Sequence, residues 1–258
     1  EDPQTLPLLQ SCVQSDADWE VRQAAVWVIA KYYKEDPQTL SLLQSWVQSA
    51  RNRFVLKAAV DAIAEYYKED PQTLPLLQSW VRSDTSWYVL TTVVNAIARY
   101  YKEDPQTLHL LQSWVQSDAD SWVREAAVNA IAQYYKEDPQ TLPLLQSWVQ
   151  SDVDLSVRYA AVNAIVQYYK EDPQTLLLLQ SWVESDPDSD VRSAAVNAIV
   201  QYYKEDPQTL PLLQSCVQSD ADSDVRRAAV YAIAQYYQED PQTLPLLQSC
   251  VQSDADSD

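Results

Sequence analysis

The sequence predicts a right-handed, all-α solenoid of 34-residue helix-turn-helix units, and three observations carry that prediction. Asp-Pro recurs at Asp2, Asp36, Asp70, Asp104, Asp138, Asp172, Asp206 and Asp240, a period of 34 residues that never drifts. Within each period two stretches repeat their apolar residues at helical spacing. Neither stretch can bury its apolar face alone, so neighbouring units must stack to complete a core. The units run 1–34, 35–68, 69–102, 103–136, 137–170, 171–204 and 205–238, with a partial eighth at 239–258, and together form one repeat domain.

The fifth unit, residues 137–170, stands for the others. Leu142, Leu145 and Val149 fall at i, i+3 and i+7, and Leu144 and Trp148 widen the same side, which makes an amphipathic first helix. Pro139 suits a first turn with Asp138 as its cap, whereas Pro143 would cost a hydrogen bond in a helix already under way. Either the helix starts near Thr141 or it bends at Pro143; Ser41, His109 and Leu177 at the equivalent places make this proline optional. Beyond a polar break, Asp154 is a good N-cap for a second helix carrying Val157, Ala160, Ala161, Ala164, Ile165, Tyr168 and Tyr169. Lys-Glu-Asp-Pro then ends it, because Pro173 disfavours helical geometry in the residue before it.

Composition narrows the function. A 47% hydrophobic content is enough for a core, while a net charge of −19 repels phosphate backbones and argues against nucleic acid as a partner. No run approaches the about 20 apolar residues of a membrane helix, and no signal peptide opens the sequence, so a soluble, cytoplasmic protein is expected. Cys12, Cys216 and Cys250 repeat one unit position, too far apart in a stack for disulfides, and are expected to be small buried hydrophobes. The lone His109 stands where other units carry Pro, Ser or Leu and is expected to face solvent. The absence of glycine removes the phosphate-binding loops. No catalytic, cofactor or metal site is predicted, and the chain is expected not to be an enzyme.

The pattern D-x-D-x-x-V-R-x-A-A-x-x-A-I stands as Asp118, Asp120, Val123, Arg124, Ala126, Ala127, Ala130 and Ile131, and again as Asp220, Asp222, Val225, Arg226, Ala228, Ala229, Ala232 and Ile233. It resembles the HEAT-like repeat of the phycobilin-lyase type, over the whole chain. That resemblance implies second helices lining a concave face, an Asp and Arg ladder between turns, and mostly protein-binding roles, with a minority handling bilin chromophores. One departure is Tyr134-Tyr135, where the family usually ends its second helix with glycines.

Comparison of the units with one another isolates a surface. Gln4, Thr5, Gln10 and Ser11 repeat unchanged although such positions are expected to be exposed, which points to recent duplication or to design. Variation gathers instead at Leu155, Ser156, Tyr159, Asn163 and Gln167 and their equivalents. At about 100° per residue these span an arc of about 120° opposite the apolar stripe. Aromatic residues crowd this arc, and such rings commonly dominate binding energy. The candidate partner-binding residues are Trp19, Trp27, Arg53, Phe54, Lys57, Trp87, Tyr88, Thr91, Asn95, Trp122, Glu125, Leu155 and Tyr159, centred on units two to five.

Units two and three depart most. The cap regions become Ala50-Arg51-Asn52-Arg53-Phe54 and Asp84-Thr85-Ser86-Trp87-Tyr88, the ladder arginine becomes Leu56 and Leu90, and Thr92-Val93 replaces Ala-Ala. Asn52 and Ser86 can still cap. Trp46, Trp80, Trp114, Trp148 and Trp182, at the edge of the predicted core, are either structural packing or a second aromatic strip. The expected function is a scaffold that binds another protein or peptide on its concave face. The alternatives are an engineered or structural repeat protein without a natural partner and a chromophore-lyase-like accessory. The chain stops after the first helix of its eighth unit, an end that either invites end-to-end self-association or belongs to a longer array.

Overall fold

The computed structural model describes residues 4–49, 52–83, 86–117, 120–152 and 154–248. Ala50, Arg51, Asp84, Thr85, Asp118, Cys250 and the end of the eighth unit lie outside the described residues. In chain order the helices are α1 (Thr5–Ser15), α2 (Trp19–Tyr32), α3 (Pro37–Ser49), α4 (Arg53–Tyr66), α5 (Thr73–Arg82), α6 (Trp87–Tyr100), α7 (Pro105–Ser117), α8 (Ser121–Tyr134), α9 (Thr141–Ser151), α10 (Leu155–Tyr169), α11 (Pro173–Ser185), α12 (Ser189–Tyr203), α13 (Thr209–Ser219) and α14 (Ser223–Tyr236). Among the described residues there is no strand. This is the α-solenoid arrangement that the 34-residue period predicts.

The chain divides into two compact bodies, Glu1–Tyr135 and Lys136–Asp258. In the first, each odd-numbered helix packs on the even-numbered helix that follows it, and α2, α4, α6 and α8 pack successively on one another. In the second, α10, α12 and α14 form the same kind of layer. The second helix of a unit thus meets its own partner and a neighbouring second helix, which is why Val157, Ala160, Ala161, Val162, Ala164, Ile165 and Val166 are all buried.

The optional proline sets where the first helix begins. With Pro at the seventh unit position, α1, α5, α9 and α13 start at Thr5, Thr73, Thr141 and Thr209. With Ser41, His109 or Leu177 there, α3, α7 and α11 start two residues earlier, at Pro37, Pro105 and Pro173. Starting at Thr141 puts Pro143 in the first turn, where its missing N–H has no helical acceptor to lose. In α11 Pro173 takes the first position, and the Asp172 carboxylate accepts from the Gln174 amide at 2.8 Å.

The second helices end without glycine. Among the described residues no φ is positive, so the left-handed C-cap that glycine serves elsewhere is not used. The second tyrosine of the pair at the helix end works across units instead: the Tyr67, Tyr169 and Tyr203 hydroxyls donate to the backbone carbonyls of Lys34, Lys136 and Lys170, 33 residues back. Burial, then the acidic turn it rests on, pushes the Tyr101 and Tyr135 phenols up to about 12.

Of the unchanged polar positions, the threonine is buried in later units, which corrects its expected exposure, while the Gln and Ser positions are exposed or half-exposed. Thr73, Thr175, Thr209 and Thr243 are buried, and each hydroxyl donates to the carbonyl of the preceding unit's Tyr67, Tyr169, Tyr203 or Tyr237 at 2.6–2.7 Å. The Gln180 amide reaches Gln208 and that of Gln214 reaches Gln242. Ser45, Ser79 and Ser181 donate to carbonyls one turn back.

The ladder is present in the second body. The Arg158 guanidinium donates to Asp186 at 2.6 Å and Asp188 at 3.1 Å, and Arg192 grips Asp220. In the first body Leu56 and Leu90 are buried at the arginine's position. Asn52 caps α4 through its side chain, but Ser86, expected to cap α6, offers only its backbone carbonyl. Trp46, Trp80, Trp114, Trp148 and Trp182 are all buried, so they are packing residues and no second aromatic strip. The indole N–H of Trp182 is buried without an acceptor. Cys216 is buried, Cys12 half-buried and His109 exposed; burial pushes the Cys216 thiol up to about 11.

Candidate protein-recognition surface

The periodicity that buries Val157, Ala161 and Ile165 in α10 leaves Leu155, Ser156, Tyr159, Asn163 and Gln167 exposed. The variable arc is therefore a solvent face there. Of the other candidates, Trp19, Arg53, Lys57, Trp87 and Trp122 are exposed, and Trp27, Phe54, Tyr88, Thr91, Asn95 and Glu125 are half-buried. All but Leu155 and Tyr159 belong to the first body. Those two stand on α10 in the second, where the groove between α10 and α12 is lined by Tyr159, Asn163, Asn197 and Tyr202.

A fixed register brings the aromatic residues of the first body together. The first residue of one second helix meets the second residue of the next: Trp19 stacks on Phe54 with ring centroids 4.2 Å apart, and Trp87 meets Trp122 at 5.6 Å. Tyr88 adds an edge contact to Trp87, and the Arg53 guanidinium lies 4.9 Å from the Phe54 ring centre. These residues occupy the N-terminal ends of α2, α4, α6 and α8, which pack side by side. Trp19, Trp87 and Trp122 keep 42%, 54% and 47% of their surface exposed despite these contacts, enough for a partner to cover. Thr91 and Asn95 are hydrogen-bonded to the helix itself, Asn95 to the Thr91 carbonyl at 2.7 Å.

A second register joins the middle of one helix to the end of the next. Trp27 meets Tyr66 edge-on at 5.9 Å. At the equivalent place in α4 stands Asp61, which lies on the variable arc yet is buried, with Lys57 on it at 2.7 Å. Burial, then Asp61, raises the Tyr100 phenol far above its ordinary range, with Glu65 adding to the effect. Asp61, Glu65 and Tyr100 were not among the predicted site residues; their signal was the exchange of the usual Asn for Asp in one unit. Among the described residues no group of His, Cys, Asp and Glu side chains could hold a metal ion, and no helix is long and apolar enough to cross a membrane.

A family profile described as HEAT repeats matches residues 1–64, 55–132, 118–200 and 176–258. The chain belongs to the HEAT-repeat family. No curated protein matches it. Among solved structures it is similar to human deoxyhypusine hydroxylase in complex with glycerol, at 15% identity and a TM-score of 0.38, over 95% of this chain and 89% of that one. The Asp and Arg of the ladder recur at fixed unit positions, whereas the aromatic residues at the ends of α2 to α8 do not.

Proposed function

We propose that this HEAT-repeat chain is a recognition scaffold for another protein or peptide, and that it is not an enzyme. The observation that carries this is the aromatic edge of residues 1–135. Three tryptophans, each about half exposed, are held in fixed pairs with Phe54, Tyr88 and Arg53 nearby. Preassembled rings lose little conformational freedom when a partner covers them, and Trp, Tyr and Arg are the residue types that dominate interfaces. The resemblance implies that second helices line a concave side, and on that basis the partner is placed on the layer α2, α4, α6 and α8. No nucleic acid is expected, given the net charge of −19.

The competing account makes the rings mere adhesive between units, and the stacking gives it substance. Affinity capture with the wild type and with Trp87→Ser/Tyr88→Ser/Trp122→Ser separates the two. Recognition predicts that the triple variant keeps its dichroism, melts slightly lower because the Trp87–Trp122 contact is gone, and loses the captured partner. Unchanged affinity for that partner, measured directly with both proteins purified, would sink the proposal.

A further inference from the structure

Arg22 stands at the ladder position of the first unit, where Arg158 and Arg192 of later units hold carboxylates. Arg192 makes a two-pronged contact with Asp220, Nε to Oδ2 at 2.9 Å and Nη2 to Oδ1 at 2.8 Å. The sequence withdraws that partner from Arg22. In the second unit the two acidic loop positions are Ala50 and Asn52, and Arg51 and Arg53 appear where the seventh unit has Ala221 and Ser223. Among the described residues Arg22 meets a single acceptor, the Asp16 carbonyl, through Nε. A guanidinium carries five N–H donors, so both Nη groups are left without a carboxylate. Asn52 cannot substitute for one, because its carbonyl oxygen is turned to the amides of Phe54 and Val55.

Arg22 borders a cleft of about 560 Å³ between the first two units, with Leu42, Trp46 and Val55 as apolar walls and Asn52 at its rim. The same cleft between units six and seven, about 400 Å³, contains the Arg192–Asp220 pair. The first turn of α4 adjoins the cleft, and its N-terminal dipole favours negative charge there. Although the chain is strongly acidic overall, this loop has exchanged acidic residues for basic ones.

We propose that this cleft binds the carboxylate of an acidic peptide, which takes at Arg22 the place Asp220 takes at Arg192. The site is separate from the aromatic edge and survives or fails independently of it. The probe is a labelled peptide with the chain's own ladder sequence, Ser-Asp-Ala-Asp-Ser-Asp, followed by fluorescence anisotropy on the full chain. Its Asn-for-Asp counterpart and inorganic phosphate serve as comparisons. Binding of the acidic peptide is expected to weaken with salt and to fall about 10- to 100-fold with the Asn peptide or with Arg22→Gln, the loss of a charge-assisted bond. Asn52→Asp supplies a carboxylate at the unit position from which Asp188 meets Arg158, so it should weaken peptide binding and raise the melting temperature while Arg22 is intact. No binding by the acidic peptide, binding indifferent to Asn52→Asp, or displacement by phosphate as effective as by unlabelled peptide each overturns the proposal.

Discussion

Replacing Asp220 with Asn tests the ladder where its geometry is best defined. The Asp220 and Arg192 side chains are only 9% and 14% exposed and share two short N–H···O bonds. Asp220 also accepts from the Asp222 amide at 2.9 Å. Asparagine keeps one acceptor but removes the charge, leaving a largely buried guanidinium without its counter-ion. Breaking such a pair from one side costs about 3–5 kcal/mol. The low end applies, because the Asp186 carbonyl still accepts from Arg192. The pH dependence has a definite sign. The Arg192 hydrogen bond holds the Asp220 carboxyl below its ordinary range, so this stabilisation is fully present above the unfolded carboxylate value of about 3.9 and is lost as pH falls through the lower folded value. Urea unfolding followed by far-ultraviolet dichroism from pH 7 to pH 3 therefore should give a gap between wild type and Asp220→Asn that is constant above about pH 5 and closes below about pH 4. Equal midpoints at pH 7, or a gap undiminished at pH 3, would refute the reasoning.

Thr209→Val removes a buried hydroxyl bonded to the Tyr203 carbonyl at 2.7 Å and should cost about 1 kcal/mol. Thr39→Val, where the buried hydroxyl has no partner, should cost nothing measurable in the same urea titration. Leu177→Pro should shift the start of α11 from Pro173 to Thr175, as in α9, and melt within a few degrees of wild type; Ser181→Pro, deep in the helix, should cost about 3 kcal/mol or more. Ala127→Leu places a larger side chain at a fully buried site of α8 and should cost about 1–3 kcal/mol by thermal melting.

The period, the two helices per unit and the phase of the second helix were legible because they rest on spacing alone. The Arg-Asp ladder followed from resemblance, and Arg158 and Arg192 make it. What spacing could not give was contact between units. Thr175 reads as an exposed polar residue until its bond to the Tyr169 carbonyl is known, and Asp61 reads as part of a solvent face until a neighbouring helix covers it. Both are settled by the offset between adjacent units, which a single unit's periodicity does not contain. Trp19 and Phe54 were legible as surface aromatics, but their stacking depends on the same offset. The choice for Pro143 between a late start and a bend needed the backbone, and the late start wins because it costs no hydrogen bond.

That offset also ties recognition to cohesion. In residues 136–258 successive units are joined by Arg158 to Asp186 and Asp188 and by Arg192 to Asp220. In residues 1–135 Arg22 has no such carboxylate among the described residues, leucines stand at positions 56 and 90, and ring contacts span the joints instead, Trp19 with Phe54 and Trp87 with Trp122. A ring pair contributes about 0.5–1.5 kcal/mol beyond its buried area, less than a well-made buried ion pair resists being broken. Joints held by half-exposed rings should open more readily than ladder joints, and a partner covering Trp87 and Trp122 would clamp α6 to α8 as it binds. Amide hydrogen exchange on the free chain and its complex tests this: α6 and α8 should gain protection on binding, while α12 and α14, held by Arg192, should not. Equal protection gained in all four helices, or none in α6 and α8, would mean that the rings of the first body do not couple binding to the joint they close.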